Sequence, residues 1–286
     1  MTTISNKTIT VSTDDKGGEL MSIRSNDIEY LWQGDAAFWP RRSPVLFPII
    51  GACHENTYRY RGESYTIGNH GFARDMDFQC IAQTDDRMMF QLTSDASTKK
   101  QYPFDFRFTI GYRLDNYSLI TDYIVENIGR DSMYFSVGGH AGFNTPLEKG
   151  GSKNDFDIMF ERDETASRRY LNKENTAENN DAALNGSLMR ITDDTFSRGA
   201  LALANLRSRK MTLASRVSHH GVTVQFEEFP CFGIWSPSAE APFICLEPWH
   251  GIMPRVDASP DITVKEGIRM LEPQRTFATS YRIIVF

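Results

Sequence analysis

Alternating apolar and polar positions run through much of the chain and predict β-strands. The strand-like segments are rich in β-branched and aromatic residues, and Gly, Asn, Asp and Pro separate them. They are Thr8 to Ser12, Tyr58 to Tyr60, Met88 to Leu92, Phe104 to Leu114, Ser118 to Glu126, Met133 to Gly138 and Thr276 to Phe286. Helical periodicity is scarce, and Thr195 to Ala200 is predicted to form a short helical turn at most.

Two of these segments predict a hairpin. Phe106 to Leu114 and Leu119 to Val125 are joined by Asp115 and Asn116, residue types that tolerate the positive φ of a two-residue turn. Because few helices are available to connect parallel strands, the sheets should be antiparallel. The expected fold is all-β, with two large packed sheets forming a sandwich in a single domain over residues 1–286.

The region from Glu148 to Gly186 interrupts this pattern. It contains two polar stretches, Gly150 to Asn154 and Asn172 to Asp181, with a short strand candidate, Phe156 to Phe160, between them. Such a region is either a domain linker or a long surface excursion. The similar strand pattern on both sides favours the excursion.

Charge and cysteine content narrow the functional classes. Lys and Arg number 31 against 37 Asp and Glu, a net charge of -6, so no general affinity for nucleic acid or anionic membrane is expected. The four cysteines form no CxxC pair, which favours buried free thiols over a zinc ribbon or a redox motif. Met1 to Lys16 is polar, and no apolar run approaches the roughly 20 residues of a membrane span. A soluble, cytoplasmic protein is the default expectation.

Three segments combine a titratable side chain with turn residues, a setting that suits a rigid site at strand ends. In Asn69 to Asp75, His70 and Arg74 can present an imidazole and a guanidinium to one ligand. A capped loop histidine is an equally good interpretation of this segment taken alone.

The other two segments carry a second histidine and a carboxylate. Three glycines surround His140 in Gly138 to Asn144 and permit close approach of backbone and ligand, although a β-bulge with an incidental histidine is also compatible. In Phe243 to Gly251, Glu247 ends an apolar run before proline and tryptophan. A surface carboxylate after a strand is the alternative there.

Taken together, these segments resemble the aldose 1-epimerase (mutarotase) family, in its divergent bacterial branch. The resemblance covers nearly the whole chain in order, and it implies the large antiparallel β-supersandwich of the galactose mutarotase fold. The segments that carry it are Gly18 to Ile23, Tyr30 to Trp32, Pro44 to Gly51, His70 to Arg74, His140 to Asn144, Phe232 to Ser236 and Glu247 to Trp249.

The resemblance also implies the chemistry of an isomerase. The family interconverts hexose anomers: a base removes the proton of the anomeric hydroxyl, an acid protonates the ring oxygen, and the opened ring recloses on its other face. Glu247 matches the base, His140 the acid, and His70 a second histidine that hydrogen-bonds near the ring oxygen. Burial and neighbours can tune carboxylate and imidazole to such work. No metal or cofactor is implied.

Sugar recognition needs planar hydrogen bonding and an apolar platform. Arg74 offers a fork of donors, and Asn144 offers a donor and an acceptor. Phe143, Trp235 and Trp249 can stack on a hexose, although core packing is the more frequent role of such rings.

One position departs from the family pattern. Ala52 stands where many members carry a sugar-binding arginine, and Arg41, Arg42 or Arg74 are the candidates to replace it. Two alternatives to a free-hexose mutarotase therefore stay open. They are an epimerase of hexose 6-phosphates, since Arg suits bidentate anion binding, and a non-catalytic sugar-binding protein on the same fold. A homodimer is compatible with the sequence, which does not decide the oligomeric state.

Overall fold

The computed structural model describes residues 1–148, 150–171 and 177–286. The regular structure of these residues consists of 23 strands and five short 3-10 helices. The helices are His54–Asn56, Ala73–Asp75, Thr98–Lys100, Lys153–Asp155 and Ile262–Val264. No helix among the described residues has the length and apolar character needed to span a membrane.

The strands run in chain order from β1 to β23. The first twelve are β1 (Thr2–Ser5), β2 (Thr10–Thr13), β3 (Leu20–Ser25), β4 (Ile28–Glu29), β5 (Val45–Leu46), β6 (Thr57–Tyr60), β7 (Glu63–Thr66), β8 (Gln79–Gln83), β9 (Arg87–Thr93), β10 (Phe106–Asp115), β11 (Ser118–Asn127) and β12 (Met133–Phe135). The others are β13 (Val137–Gly139), β14 (Ala141–Asn144), β15 (Phe156–Leu171), β16 (Ala177–Arg190), β17 (Leu201–Ala204), β18 (Lys210–Ser215), β19 (Gly221–Gln225), β20 (Cys231–Trp235), β21 (Phe243–His250), β22 (Arg269–Leu271) and β23 (Thr276–Val285).

Fifteen of these strands form one antiparallel sheet. Its path is β5-β13-β21-β20-β17-β15-β18-β19-β23-β11-β10-β9-β8, with β14 on β21 and β16 on β15. A separate four-stranded sheet holds β1 to β4, and β6-β7 and β12-β22 form two small ladders. All strand pairings within the large sheet are antiparallel, as the sequence predicts.

The large sheet folds back on itself around an aromatic core. Phe47, just after β5 at one end of the strand path, stacks on Phe108 of β10 near the other end, with ring centroids 4.6 Å apart. Phe106 and Phe135 pack against the same ring, at 5.1 and 6.1 Å. All four rings are fully buried. Contact between opposite ends of one sheet produces the two packed layers of a sandwich, so the predicted all-β fold is confirmed.

Apart from Phe156 to Phe160, the predicted strands are found with their ends displaced by at most two residues, and Met133 to Gly138 is divided between β12 and β13. The β10-β11 hairpin forms, but its turn is one residue further along the chain. Asp115 pairs with Ser118, so Asn116 and Tyr117 make the turn. Asn116 has a φ of 51°, the left-handed conformation that Asn tolerates. The turn chemistry was therefore correct and its position was wrong.

The region Glu148 to Gly186 is mostly sheet and not a surface loop. β15 continues beyond the predicted Phe156 to Phe160 strand and pairs with β16, β17 and β18. The sequence of β15 does not alternate between apolar and polar residues, because Glu164 and Arg169 are buried although charged and Glu161 to Asp163 are all exposed. Part of the polar stretch Asn172 to Asp181 lies outside the described residues. Thr195 to Ala200 forms a hydrogen-bonded turn and no helix.

Candidate active site

Three neighbouring strand segments, β13-β14, β21 and β20, form the base of the site. β13 and β14 pair with β21 in one register that is interrupted for two residues. Continued across the interruption, that register sets His140 directly opposite Glu247. Pro248 lies in the interruption and has no backbone N–H to donate to the ladder. Because opposite residues share a face of the sheet, the predicted acid and base project side by side.

The side chains of His140 and Glu247 form a buried pair. Their Nε2 and Oε2 atoms are 3.3 Å apart, without the alignment of a hydrogen bond. Burial raises the pKa of the Glu247 carboxyl well above its ordinary value and lowers the pKa of His140 to about 3. Both shifts favour the uncharged form, because a charge loses its hydration in a buried site. A proton shared by the pair therefore favours the carboxyl side.

His70 is held as a neutral donor. Its Nδ1 accepts a hydrogen bond of 3.1 Å from the backbone N–H of Gly51, and its backbone N–H donates to the Gly51 carbonyl at 2.9 Å. Since a backbone N–H can only donate, Nδ1 carries no proton and the neutral ring carries its proton on Nε2. Burial lowers the pKa of His70 well below its ordinary value, which keeps this neutral form.

The glycine after His70 is required by close packing. A Cβ at Gly71 would stand 2.2 Å from the carbonyl oxygen of Phe47, and the φ of Gly71 is +75°. His70 itself has a φ of 63°, which is uncommon for a residue other than glycine. The segment is thus pressed against the chain that follows β5, and this contact fixes where the imidazole lies.

Three tryptophans surround the pair. The His140 ring lies 5.0 Å from the ring of Trp39 and 5.6 Å from that of Trp235. The indole of Trp249 lies across both strands that flank β21. A Cβ at Gly233 would stand 2.2 Å from Trp249 Cζ2, and one at Gly138 would stand 2.7 Å from its Cδ1. The two glycines therefore leave the space in which the indole lies against the sheet.

These side chains open onto one cavity of about 280 Å³. Six of the eight candidate site residues line it: His70, Arg74, His140, Trp235, Glu247 and Trp249. A more open groove of about 450 Å³ lies elsewhere, on the face of β9, β10 and β11. Its carboxylates are only half-buried or exposed and it contains no histidine. The smaller cavity is the one that brings an acid and a base together.

Two predicted ligand contacts lie away from this cavity. Phe143 is fully buried in the main core, because alternation along β14 turns it to the face opposite His140. Asn144 shares the face of His140, but its amide donates to the carbonyls of Glu29 and Leu31 at 2.8 and 3.0 Å. Both side chains have structural contacts here, and the proposed site omits them.

Of the three candidate replacements for the family arginine, Arg74 is the one that lines the cavity. Its guanidinium donates to the Asn69 carbonyl at 2.7 Å, while Nε is buried without a hydrogen-bond partner. Arg41 lies nearby and forms an ion pair of 2.8 Å with Asp75. Arg42 instead donates to the Met21 carbonyl and to Gln33, on the other side of its loop.

Some lining residues were not predicted. Trp39 was assigned no role from the sequence, and its position directly before a proline was the available signal. Leu171 and Met253 also line the cavity. Neither residue carries a local sequence signal of a site. Leu171, for example, reaches the cavity only through the full length of β15. Cys245, with His140 and Glu247, completes a group of described residues that can hold a metal ion.

Comparison with known proteins identifies the family of this chain. The aldose 1-epimerase family model matches residues 1–269. The chromosomal protein LacX of Lactococcus lactis subsp. lactis is 30% identical over 293 residues, which cover 99% of this chain and 98% of that protein. The structure of a galactose mutarotase related enzyme from Lactobacillus acidophilus is 35% identical with a TM-score of 0.96, over 100% of this chain and 97% of that chain. A galactose mutarotase-like protein from Lactobacillus casei is 31% identical with a TM-score of 0.93, over 100% of both chains. This chain therefore belongs to the aldose 1-epimerase family and has the galactose mutarotase-like fold.

Proposed function

We propose that the protein is an aldose 1-epimerase that interconverts the α and β anomers of a free hexose by acid–base ring opening and reclosure. The observation that carries this proposal is the buried pair of Glu247 and His140, 3.3 Å apart at the base of a cavity. Family membership supports a sugar epimerase in general. The geometry supports the assignment of roles.

A side-by-side acid and base suits this reaction. The anomeric hydroxyl and the ring oxygen are bonded to the same carbon, so adjacent groups can reach both. The Glu247 carboxylate takes the hydroxyl proton while the His140 imidazolium donates one to the ring oxygen. Reclosure after rotation of the aldehyde reverses both transfers and returns each group to its starting form. A well-placed acid or base typically contributes about 10²–10⁴ in rate.

The active pair needs its proton on His140, whereas burial favours the proton on Glu247. The substrate must therefore stabilise the charged arrangement, as hydroxyl donors to the carboxylate would do. The fixed Nε2–H of His70 supplies a donor near the ring oxygen. Trp39 and Trp235 offer apolar ring surface for the sugar face.

Polarimetry tests this proposal directly. Freshly dissolved α-glucose and α-galactose are followed with the wild type and with Glu247→Gln, which keeps the shape of the side chain. We expect the wild type to accelerate mutarotation above the buffer rate and the variant to lose about 10²–10⁴ of that acceleration. Circular dichroism of both proteins controls for folding. A wild type that binds either sugar without accelerating its mutarotation would instead indicate a non-catalytic sugar-binding protein.

A hexose 6-phosphate is the second candidate substrate, favoured by the arginines. Arg74 has a buried Nε without a hydrogen-bond partner, 3.9 Å from the Asp75 carboxylate that also pairs with Arg41. Besides burial, both guanidinium groups lower the pKa of His140, so both lie near the site. Two such cations suit a phosphate. Rates with glucose 6-phosphate and glucose are compared in the wild type and in Arg74→Lys, which keeps the charge but removes the fork. A kcat/KM that does not favour the phosphate contradicts this alternative.

A further inference from the structure

The catalytic pair has a third, unused neighbour. Cys245 lies two residues before Glu247 on β21, so the two side chains project to the same face. Its thiol is fully buried. One ligand atom each from His140, Cys245 and Glu247 lies within 4.8 Å of the other two. The proposed proton transfers do not involve this sulfur.

We propose that His140, Cys245 and Glu247 form a binding site for a zinc-like divalent cation, and that the bound cation blocks the sugar reaction. One nitrogen, one sulfur and one carboxylate oxygen are ligand types that Zn²⁺ accepts, and three protein ligands leave a fourth position open. Binding does not depend on the proposed function, whereas the block of turnover rests on it.

The distances fit this assignment. Ligand bonds of about 2.0–2.1 Å to nitrogen and oxygen place two tetrahedral ligands about 3.3 Å apart. His140 Nε2 and Glu247 Oε2 are 3.3 Å apart in the structure. A bond of about 2.3 Å places the sulfur about 3.5 Å from each. From separations of up to 4.8 Å, a shift of about one ångström in side chains brings the three ligands onto one ion.

Charge and hydrogen bonding also favour a cation. A thiolate and a carboxylate together balance the two charges of the ion. Glu247 is 1% exposed, and its Oε2 has no hydrogen-bond partner that the cation would have to displace. His140 and Glu247 line the cavity while Cys245 lies behind them. The open fourth position would therefore face the cavity, where a water or a sugar hydroxyl can occupy it.

The consequence for catalysis is inhibition. The cation would bind the carboxylate oxygen that removes the hydroxyl proton and the imidazole nitrogen that carries the other proton. Neither group could then exchange protons with the sugar. Removal of the cation by a chelator should restore the rate in full, since no covalent bond of the protein changes.

Cobalt absorption tests the site with a readout other than activity. Metal-free protein carrying Cys80→Ser, which removes an exposed thiol, is titrated with Co²⁺. We expect one equivalent to produce the visible bands of four-coordinate cobalt and a thiolate-to-cobalt band in the near ultraviolet, both abolished by Zn²⁺, which binds such ligands more tightly. Adding Cys245→Ser should remove the thiolate band and weaken binding at least about 10-fold, by analogy with supporting residues at metal sites. Cys231→Ser is the matched control, since Cys231 is also buried and lies on the adjacent β20.

A thiolate band that persists in Cys245→Ser, or that is absent from the parent protein, overturns the metal site. Inhibition by Zn²⁺ is measured separately, relative to the metal-free rate of each variant. Zn²⁺ that binds at these residues without slowing mutarotation overturns the inhibitory role. A metal-free parent that never accelerates mutarotation contradicts the proposed function, and the cobalt spectrum still decides the metal site.

Discussion

The two faces of β21 differ in what they contact: one packs into the main core, and the other carries Glu247, the proposed base. All eight residues of the strand are buried. Ile244 and Leu246 pack into the main core, while Cys245 and Trp249 belong to smaller clusters around the cavity. Burial alone therefore does not distinguish the two faces. The hydrogen bonding of their titratable side chains does.

His250 represents the structural face. Its Nδ1 accepts from the Arg269 guanidinium at 3.2 Å, and its Nε2 lies 3.1 Å from the Thr279 hydroxyl. Burial lowers its pKa to about 3, the same direction and size as for His140. On the other face, Oε2 of Glu247 has no hydrogen-bond partner. A perturbed pKa marks both faces, and only an unpaired polar atom at a cavity marks the reactive one.

The strongest test of this comparison is the double substitution of the pair. Glu247→Gln and His140→Gln should each lower the mutarotation rate by about 10²–10⁴. The two proton transfers depend on each other. The double variant should therefore be at most about 10-fold slower than the slower of the two single variants. Polarimetry of the four proteins measures this. Losses that multiply would show that the two groups act independently.

The opposite expectation holds for the structural face. His250→Ala removes a buried ring and leaves the Arg269 donor unpaired, so the free energy of unfolding should fall by about 3–5 kcal/mol. The rate per folded molecule should stay within about twofold, because His250 does not reach the cavity. Urea unfolding gives the first quantity and polarimetry the second. A large loss of rate without a loss of stability would place His250 in the chemistry.

The donor role of His70 predicts a somewhat smaller effect. Asn tolerates the left-handed φ at this position and retains an acceptor for the Gly51 N–H, but it lacks a donor at the place of Nε2. His70→Asn should therefore lower kcat by about 10², the typical cost of losing one transition-state donor, with a smaller change in KM. Steady-state kinetics and a thermal unfolding control decide. An unchanged kcat would remove His70 from the mechanism.

Acid stability should separate His250 from Glu247 by sign. A lowered histidine pKa means that the unfolded chain takes up its proton first, so His250 stabilises the fold fully above about pH 6.5 and loses this contribution towards pH 3. The raised pKa of Glu247 acts in the opposite direction, because the folded carboxyl is protonated first. His250→Gln should reduce the acid loss of unfolding free energy by up to about 1.4 kcal/mol per pH unit, and Glu247→Gln should increase it. Urea midpoints at pH 7, 6 and 5 test both signs, and equal slopes in all three proteins would contradict them.

Much of the fold was predictable because alternation and turn residues act locally. The strands near Tyr58, Met88, Phe106, Ser118 and Thr276 follow from alternation within their own segments, and the antiparallel arrangement follows from the scarcity of helices. The strands β16 to β19 were not predicted. The continuation of β15 beyond Phe160 was missed because Glu164 and Arg169 are charged residues that become buried only when the partner strands pair with β15. Residues 172–176 lie outside the described part of the chain.

The candidate site was also predictable only in part. His70, His140 and Glu247 were identified from glycine and proline in their own segments and from the resemblance to a family, and their catalytic roles stay predictions. Phe143 was predicted to contact the sugar, but its ring lies in the main core, since the face to which a strand residue points depends on its partners.

By itself, the sequence determined much of the strand pattern and the family, and it named the proposed catalytic side chains, because each of these is carried by short stretches of chain. Only the tertiary structure decided which of them meet. The common register of β13, β14 and β21 sets His140 beside Glu247, and the backbone of Gly51 selects the tautomer of His70. These contacts join residues that are distant in sequence, so they exist only when the sheet has folded back on itself.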